Sequence, residues 1–276
     1  MSWLKSCVAG IARLLTPSEE RSETGSPLPR VPHVSLPLSS LRKRLLIVSD
    51  VHGCFDEVLK LLEKVEYSPE TMTVFFVGDL VAKGPKSLEV IRFLMKQKCM
   101  LAVRGNHEDN VLRTREDAKY GNRGVYSFVK DMTDEEMEFV KDLPLSISVP
   151  ELQLLVVHAG LDPNKRGAPV HAHRFSDLIR IRSVNPDGTT TKHHPDETRK
   201  LWGPMYVGPP FVVYGHDAKR KLQMHPWARG LDTGCCYGGS LTGLLINDTR
   251  DTHNWMKHSE IVSVAAAKSY ADILDD

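Results

Sequence analysis

The chain has 276 residues, 41% of them hydrophobic, and a formal net charge of +1 at pH 7. That length supports one large domain or two small ones. The balanced charge excludes a global basic field for nucleic acid and an acidic bias toward basic partners, and no apolar run approaches the roughly 20 residues of a membrane span.

The opening stretch MSWLKSCVAGIARLL places Trp3, Leu4, Val8, Ile11 and Leu15 at helical spacing with Lys5 and Arg13 and no acid. Such a stretch suits a targeting segment or a surface anchor. A run rich in Ser, Pro and Glu follows, and its acids Glu19, Glu20 and Glu23 weigh against a mitochondrial presequence. Residues 1–41 are expected to be a disordered tail, with a cytoplasmic protein as the main reading and a mitochondrial one as the alternative. The cysteines agree with a reducing setting. There are five, Cys7, Cys54, Cys99, Cys235 and Cys236, without a C-x-x-C pair, which argues against a zinc ribbon and a disulfide framework.

From residue 44 short apolar runs alternate with helical segments. RLLIVSD (44–50), MTVFFVGD (72–79) and CMLAVRGN (99–106) read as strands. FDEVLKLLEKV (55–65) and SLEVIRFLMKQ (87–97) carry apolar residues at helical spacing between them. This βαβαβ order predicts parallel strands in a layered α/β fold. A polar stretch from about 108 to 130 precedes a helix over 133–143, opened by a Thr133–Glu136 capping box. Residues 152–160, 211–217 and 241–247 are further strand-like runs, and the connection 161–209 between two of them is long and polar, a length more often functional than idle. One domain over 42–262 is expected, with 263–276 as a C-terminal tail.

Five of these strands end in a group able to bind metal: Asp50 and His52, Asp79, Asn106 and His107, His158, and His216. Each ending alone reads as an ordinary polar turn or a hydrogen-bonded core histidine. Together they reverse that reading, because strand ends of a parallel sheet converge where ligands bind. Oxygen and nitrogen donors without thiolate suit manganese, iron, zinc, cobalt or magnesium. A carboxylate such as Asp79 can bridge two cations and so activate a hydroxide for in-line attack on phosphorus.

The motifs D-V-H-G, G-D-x-V-x-K-G-P, R-G-N-H-E, H-A-G and G-H-D-A resemble those of calcineurin-like metallophosphoesterases, whose fold is a layered β-sandwich core flanked by helices. The tail ARGLDTGCCYGGSLTGLLI resembles the ApaH-like branch, related to phosphoprotein phosphatases and bacterial diadenosine tetraphosphatase. The resemblance covers about residues 45 to 247. It implies one metal on Asp50, His52 and Asp79 and a second on Asp79, Asn106, His158 and His216. It also implies His107 as general acid and Arg104 as the grip on the phosphoryl group. Glu108 and Asp109 are expected to orient the loop.

One departure matters. Phosphoprotein phosphatases read G-D-x-V-D-R-G where this chain has Ala82 and Lys83. The carboxylate that would orient the catalytic histidine is gone, which lowers the standing of a serine/threonine phosphatase. Arg182, in I-R-S-V, and Lys83 are expected to contact substrate phosphate, while the basic residues of 192–200 read as a solvated loop. The resemblance thus implies a two-metal hydrolase of a polyanionic phosphoanhydride: a dinucleoside polyphosphate, inorganic polyphosphate, or RNA only as a capped end. The rivals are a protein phosphatase and a catalytically weak scaffold. The sequence sets no oligomeric state.

Overall fold

The computed structural model describes residues 20–117 and 124–273, so the opening stretch read as a targeting segment or anchor lies outside the described residues. In chain order the elements are β1 (His33–Ser35), β2 (Arg44–Val48), α1 (Phe55–Lys64), β3 (Met72–Phe76), α2 (Ser87–Lys96), β4 (Met100–Ala102), α3 (Asn106–Glu116), α4 (Asp134–Lys141), β5 (Ser146–Val149) and β6 (Leu154–Val157). Then follow α5 (Phe175–Arg180), β7 (Ser183–Val184), β8 (Thr190–Thr191), β9 (Lys200–Leu201), α6 (Trp202–Met205), β10 (Phe211–Tyr214), β11 (Gln223–Met224), β12 (Ala228–Gly230), β13 (Ser240–Ile246) and β14 (Ser259–Ala265).

Two mixed sheets stack face to face. One has the order β14-β13-β2-β3-β4 and the other β1-β5-β6-β10-β12-β11. The expected parallel pairing holds for β2, β3 and β4 and for β6, β10 and β12. β13 instead runs antiparallel to β2, and β14 antiparallel to β13; β5 with β6 and β11 with β12 are antiparallel in the other sheet, so both sheets are mixed.

Alternation along each strand explains the layering, since successive side chains point to opposite faces. Leu45, Ile47, Phe75 and Val77 meet Ile147, Val149, Val156 and Val213 between the sheets. Their neighbours Leu46, Val48, Val74 and Phe76 turn outward onto Val58, Leu61, Val90 and Ile91 of α1 and α2. On the far side, Leu155, Val157 and Val212 pack on Phe175, Leu178 and Trp202. With both faces of the central strands covered, they read in sequence as continuous apolar runs.

Three departures from the sequence expectation concern the ends and the polar stretch. Residues 20–41 are not a disordered tail. β1 adds to the second sheet in parallel register with β5, His33 opposite Ser146, and Leu36 and Leu41 are buried. Composition hid this because the apolar residues are few and separated by Pro and Ser. The end of the chain is likewise attached past residue 262: β14 continues to Ala265, and the Ala267 amide and Tyr270 hydroxyl both donate to Glu57 Oε1 at 2.9 Å. Finally, α3 begins at Asn106, the end of the expected strand, and runs to Glu116 through the first part of the expected polar stretch. It shows no apolar stripe because polar residues His107, Glu108 and Asp109 are themselves buried.

Candidate metal centre

The loops after β2, β3, β4, β6 and β10 bring Asp50, His52, Asp79, Asn106, His107, His158 and His216 to one end of the sandwich, all of them buried. Tight backbone turns make this convergence. His52, Asp79 and His216 hold φ of 47°, 48° and 70°, in the left-handed region, as do Ala82 and Lys83. Such angles cost energy in residues other than glycine and collect at functional sites. Gly105 and Gly215 are needed for another reason. A Cβ at Gly105 would lie 2.3 Å from Asp79 Oδ1, and one at Gly215 would lie 1.8 Å from Asp50 Oδ1. The Gly-Asn-His and Gly-His patterns therefore let backbone pass directly against the carboxylates.

Three imidazoles are oriented from behind by backbone carbonyls. His52 Nδ1 donates to Val81 O at 3.1 Å, His158 Nδ1 to Val77 O at 2.9 Å, and His216 Nε2 to Arg180 O at 3.3 Å. A carbonyl only accepts, so the opposite nitrogen of each neutral ring faces the centre with a lone pair. Burial keeps these rings neutral: it lowers His52 to about 3, with Lys83 adding to the shift, and lowers His158 and His216 as well.

The lone pairs converge on Asp79. Its Oδ2 lies 3.6 Å from His52 Nε2 and 3.5 Å from His158 Nε2. His158 Nε2 in turn lies 3.0 Å from Asn106 Oδ1 and 3.2 Å from His216 Nδ1. An arrangement of acceptors at these distances, with no proton between them, is repulsive unless a cation lies among them. The donor set thus fits a hard or borderline divalent metal. Asp79, His158 and His216 form one group with ligand atoms within 4.8 Å of one another, and His52, Asp79 and His107 form a second.

Asp50 stands slightly behind these groups. It accepts from the Ser49 hydroxyl at 3.0 Å and the His216 amide at 3.0 Å, and its Oδ2 is 3.9 Å from His158 Nδ1. Burial, with the charges of Asp232 and Asp79, holds its carboxyl well above the ordinary range. Asp79 goes the other way: burial opposes its ionisation, but His158, His107, His52 and Lys83 together outweigh that and lower it.

A cleft opens over these groups, lined in part by Lys83, Arg182, His194, Lys219, Asp232 and Tyr237. Lys83 Nζ reaches within 3.5 Å of His52 Nε2 and sits 5.1 Å over the Tyr237 ring centroid. Arg182 donates to Lys192 O at 3.1 Å and His216 O at 3.4 Å, and its Nε has no partner. Both residues line the cleft.

Arg104 does not. Its guanidinium is fully buried and donates to the carbonyls of Pro27, at 2.6 Å, and Lys141. It is no part of the cleft lining. The structure does not place Arg104 where a phosphate grip would need it, because Pro27 of the N-terminal segment and Lys141 at the end of α4 supply the carbonyls that take its hydrogen bonds. His194, assigned from sequence to a solvated loop, instead lines the cleft, 3.6 Å from Asp217 Oδ1.

Sequence reasoning also left His107 without a supporting neighbour. Tyr126 is that neighbour: its Oη lies 2.8 Å from His107 Nδ1, and Asn110 Nδ2 donates to the same oxygen at 2.8 Å. No motif marks Tyr126, which lies in a short 3-10 stretch, Gly124–Asp131. Asp232 was missed too. It closes a strand in the way Asp79 does, at the L-D-T-G turn, and burial pushes it up to about 6.

A β-sandwich with candidate metal ligands at its strand ends is the architecture of a metallophosphoesterase. The chain matches the calcineurin-like phosphoesterase family over residues 43–220 and belongs to it. Among curated relatives, the asymmetrical bis(5'-nucleosyl)-tetraphosphatase PrpE of Halalkalibacterium halodurans is 32% identical, over 72% of this chain and 88% of its own length. The symmetrical bis(5'-nucleosyl)-tetraphosphatase of Erwinia tasmaniensis is 30% identical, over 73% of this chain and 93% of its own. A crystal structure of a candidate diadenosine tetraphosphatase superposes with a TM-score of 0.72 at 30% identity, covering 86% of this chain and 98% of that one. A serine/threonine phosphatase from Saccharomyces cerevisiae superposes at 0.59 with 17% identity, covering 87% and 85%, and shares the fold alone. The chain is thus a phosphoester-hydrolysing enzyme of the branch expected from its motifs. Among the described residues, no helix is long and apolar enough to cross a membrane.

Proposed function

We propose that this chain hydrolyses the phosphoanhydride chain of a dinucleoside polyphosphate with two divalent cations, manganese being the first candidate. The convergence of acceptor atoms on Asp79 Oδ2, from His52 on one side and His158 on the other, carries the reading. A carboxylate in that position suits a bridge between two ions. Bound there, the cations would supply Lewis acidity and polarise a water for attack on phosphorus.

The chain's own residues supply the rest. Asp50, His52 and Asp79 would hold one ion, and Asp79, Asn106, His158 and His216 the other. Arg182 offers an orphaned Nε and a planar fork suited to phosphate oxygens, and Lys83 and Lys219 add positive charge along the cleft. His107 Nε2 lies 4.0 Å from Asp79 Oδ2, where it can reach the departing oxygen. The relatives named as tetraphosphatases favour a nucleotide polyanion over a phosphoprotein, and Ala82 and Lys83 agree.

The test is hydrolysis of diadenosine tetraphosphate by the purified protein with manganese. Cleavage abolished by chelation supports the reading. ADP alone means symmetrical cleavage, whereas ATP with AMP means asymmetrical cleavage. Turnover of aryl phosphate without cleavage of the dinucleotide would move the substrate to capped RNA or polyphosphate. Turnover of phosphopeptide alone would favour the protein phosphatase.

A further inference from the structure

His107 differs from the other imidazoles of the site. His52, His158 and His216 each back onto a carbonyl, which accepts and so places their inner lone pair toward the metals. His107 backs onto a hydroxyl, which can donate or accept, so its tautomer depends on what orders that hydroxyl.

A directed series of hydrogen bonds does so. Asp109 Oδ2 accepts from Arg180 Nη2 at 3.1 Å and from Arg113 Nε at 3.2 Å. Arg180 Nη2 also donates to Asn110 Oδ1 at 3.3 Å. A guanidinium has donors only, so this contact sets which end of the Asn110 amide is oxygen. Asn110 Nδ2 then donates to Tyr126 Oη at 2.8 Å. The tyrosine is buried, and among the described residues its hydroxyl meets only Asn110 and His107 Nδ1. With Asn110 donating to it, the buried O–H has Nδ1 as its one acceptor, and leaving it unmet would cost the desolvation of a hydroxyl.

We infer that Tyr126, ordered by Arg180 and Asn110, is a positioning residue that holds His107 as the Nε2–H tautomer. His107 then presents a neutral hydrogen-bond donor to the leaving oxygen and suits the site to leaving groups that depart as stable anions. A neutral imidazole N–H is a very weak acid, so it stabilises negative charge without giving up its proton. In the hydrolytic step the water oxygen bonds to phosphorus while the bond to the leaving oxygen breaks. The electron pair of that bond stays on the leaving oxygen, which departs as a terminal phosphate, and the water's proton passes to solvent. Nε2 keeps its hydrogen throughout. A phosphate leaving group is stable as an anion and needs no more than this. An alkoxide from phosphoserine would need a whole proton. The substrate side of this inference rests on the phosphoanhydride reading above, whereas the tautomer rests on hydrogen-bond geometry alone.

Nuclear magnetic resonance separates the two. In the full-length protein labelled with 15N-histidine and loaded with magnesium, long-range proton–nitrogen correlations should show His107 Nδ1 unprotonated and Nε2 protonated at neutral pH. Tyr126→Phe should mix the tautomers. Asn110→Asp, nearly isosteric, should reverse them, because a carboxylate would take the tyrosine hydrogen and leave Oη to accept from Nδ1–H. With diadenosine tetraphosphate, Tyr126→Phe should lower kcat about ten-fold with KM unchanged, in the range for residues that orient an active group. It should cause no further fall in a His107→Gln background. Nδ1–H in the parent protein, ring signals unmoved by both substitutions, or an equal fall in the His107→Gln background would each overturn the inference. If the parent protein leaves the dinucleotide intact, the substrate reading fails and the nitrogen signals still decide the tautomer.

Discussion

Glu108 clasps the loop that carries Asp79: its Oε2 accepts from the Asp79 amide at 2.9 Å and its Oε1 from the Leu80 amide at 2.8 Å. The Gly105 amide donates to Oε2 as well, at 2.8 Å, so one buried carboxylate joins the strand end of β3 to the first turn of α3. The two turns are thereby held to each other, a geometry that supports an orienting role for Glu108. Glu108→Gln keeps the shape but turns an N–H₂ toward an amide N–H. We expect a loss of about 2–3 kcal/mol in urea unfolding, together with weaker manganese binding by calorimetry. Unchanged stability would mean that the loops hold their shape without this clasp.

Arg104 yields a contrasting expectation. A guanidinium enclosed between the Pro27 and Lys141 carbonyls supports packing, and burial lowers its pKa to about 10. Arg104→Lys would reach only part of that pair of acceptors and should cost about 2 kcal/mol of stability. At a temperature where the variant stays folded, KM for a polyphosphate substrate should be unchanged. A KM raised ten-fold in folded protein would return Arg104 to the substrate.

These two residues show what the sequence conveys and what it hides. The strands β2, β3, β6 and β10 and the residues at their ends were legible, because buried parallel strands are continuous apolar runs closed by a polar turn. Arg104 lies in the same R-G-N-H run, yet its direction depends on Pro27, 77 positions away. Tyr126 contacts His107 from a stretch with no period and no motif. Local spacing identifies which groups collect, and long-range packing decides which way each one points.

Arg182 is the strongest candidate for gripping substrate, since it lines the cleft and its buried Nε has no partner. Arg182→Lys retains one charge but loses the planar fork. We expect KM for diadenosine tetraphosphate to rise about ten-fold, near 1.4 kcal/mol, with kcat little changed. An unchanged KM would remove Arg182 from the binding site.

Metal removal should be visible in stability. Asp50, Asp79 and Asp232 are buried together, and burial, with the charges of Asp232 and Asp79, pushes the Asp50 carboxyl up. A bound cation relieves that repulsion and, by binding the folded state alone, adds about 2.7 kcal/mol at a hundred times its Kd. The expected outcome is a rise in Tm with added manganese, reversed by chelator and much reduced in Asp79→Asn. A Tm indifferent to manganese in the parent protein would argue against a metal centre in the folded chain.

The attachment of the N-terminal segment makes a prediction about pH. His33 lies in β1, its Nδ1 2.9 Å from Ser146 Oγ of the neighbouring strand. Burial in that seam, with repulsion from His171 and His173, lowers its pKa from 6.5 to about 4. The unfolded chain therefore takes up a proton near pH 6.5 that the folded chain refuses until about pH 4. Between those values the unfolded state binds more protons, so stability falls as pH falls. The contribution is fully present above pH 6.5, is lost progressively down to about pH 4, and changes no further below it. His33→Gln keeps a hydrogen-bonding group and removes the titration. Urea midpoints of the parent protein should drop between pH 7.5 and pH 5 by more than those of the variant. Parallel curves for the two proteins would show that the β1 seam opens to water before the rest of the domain unfolds.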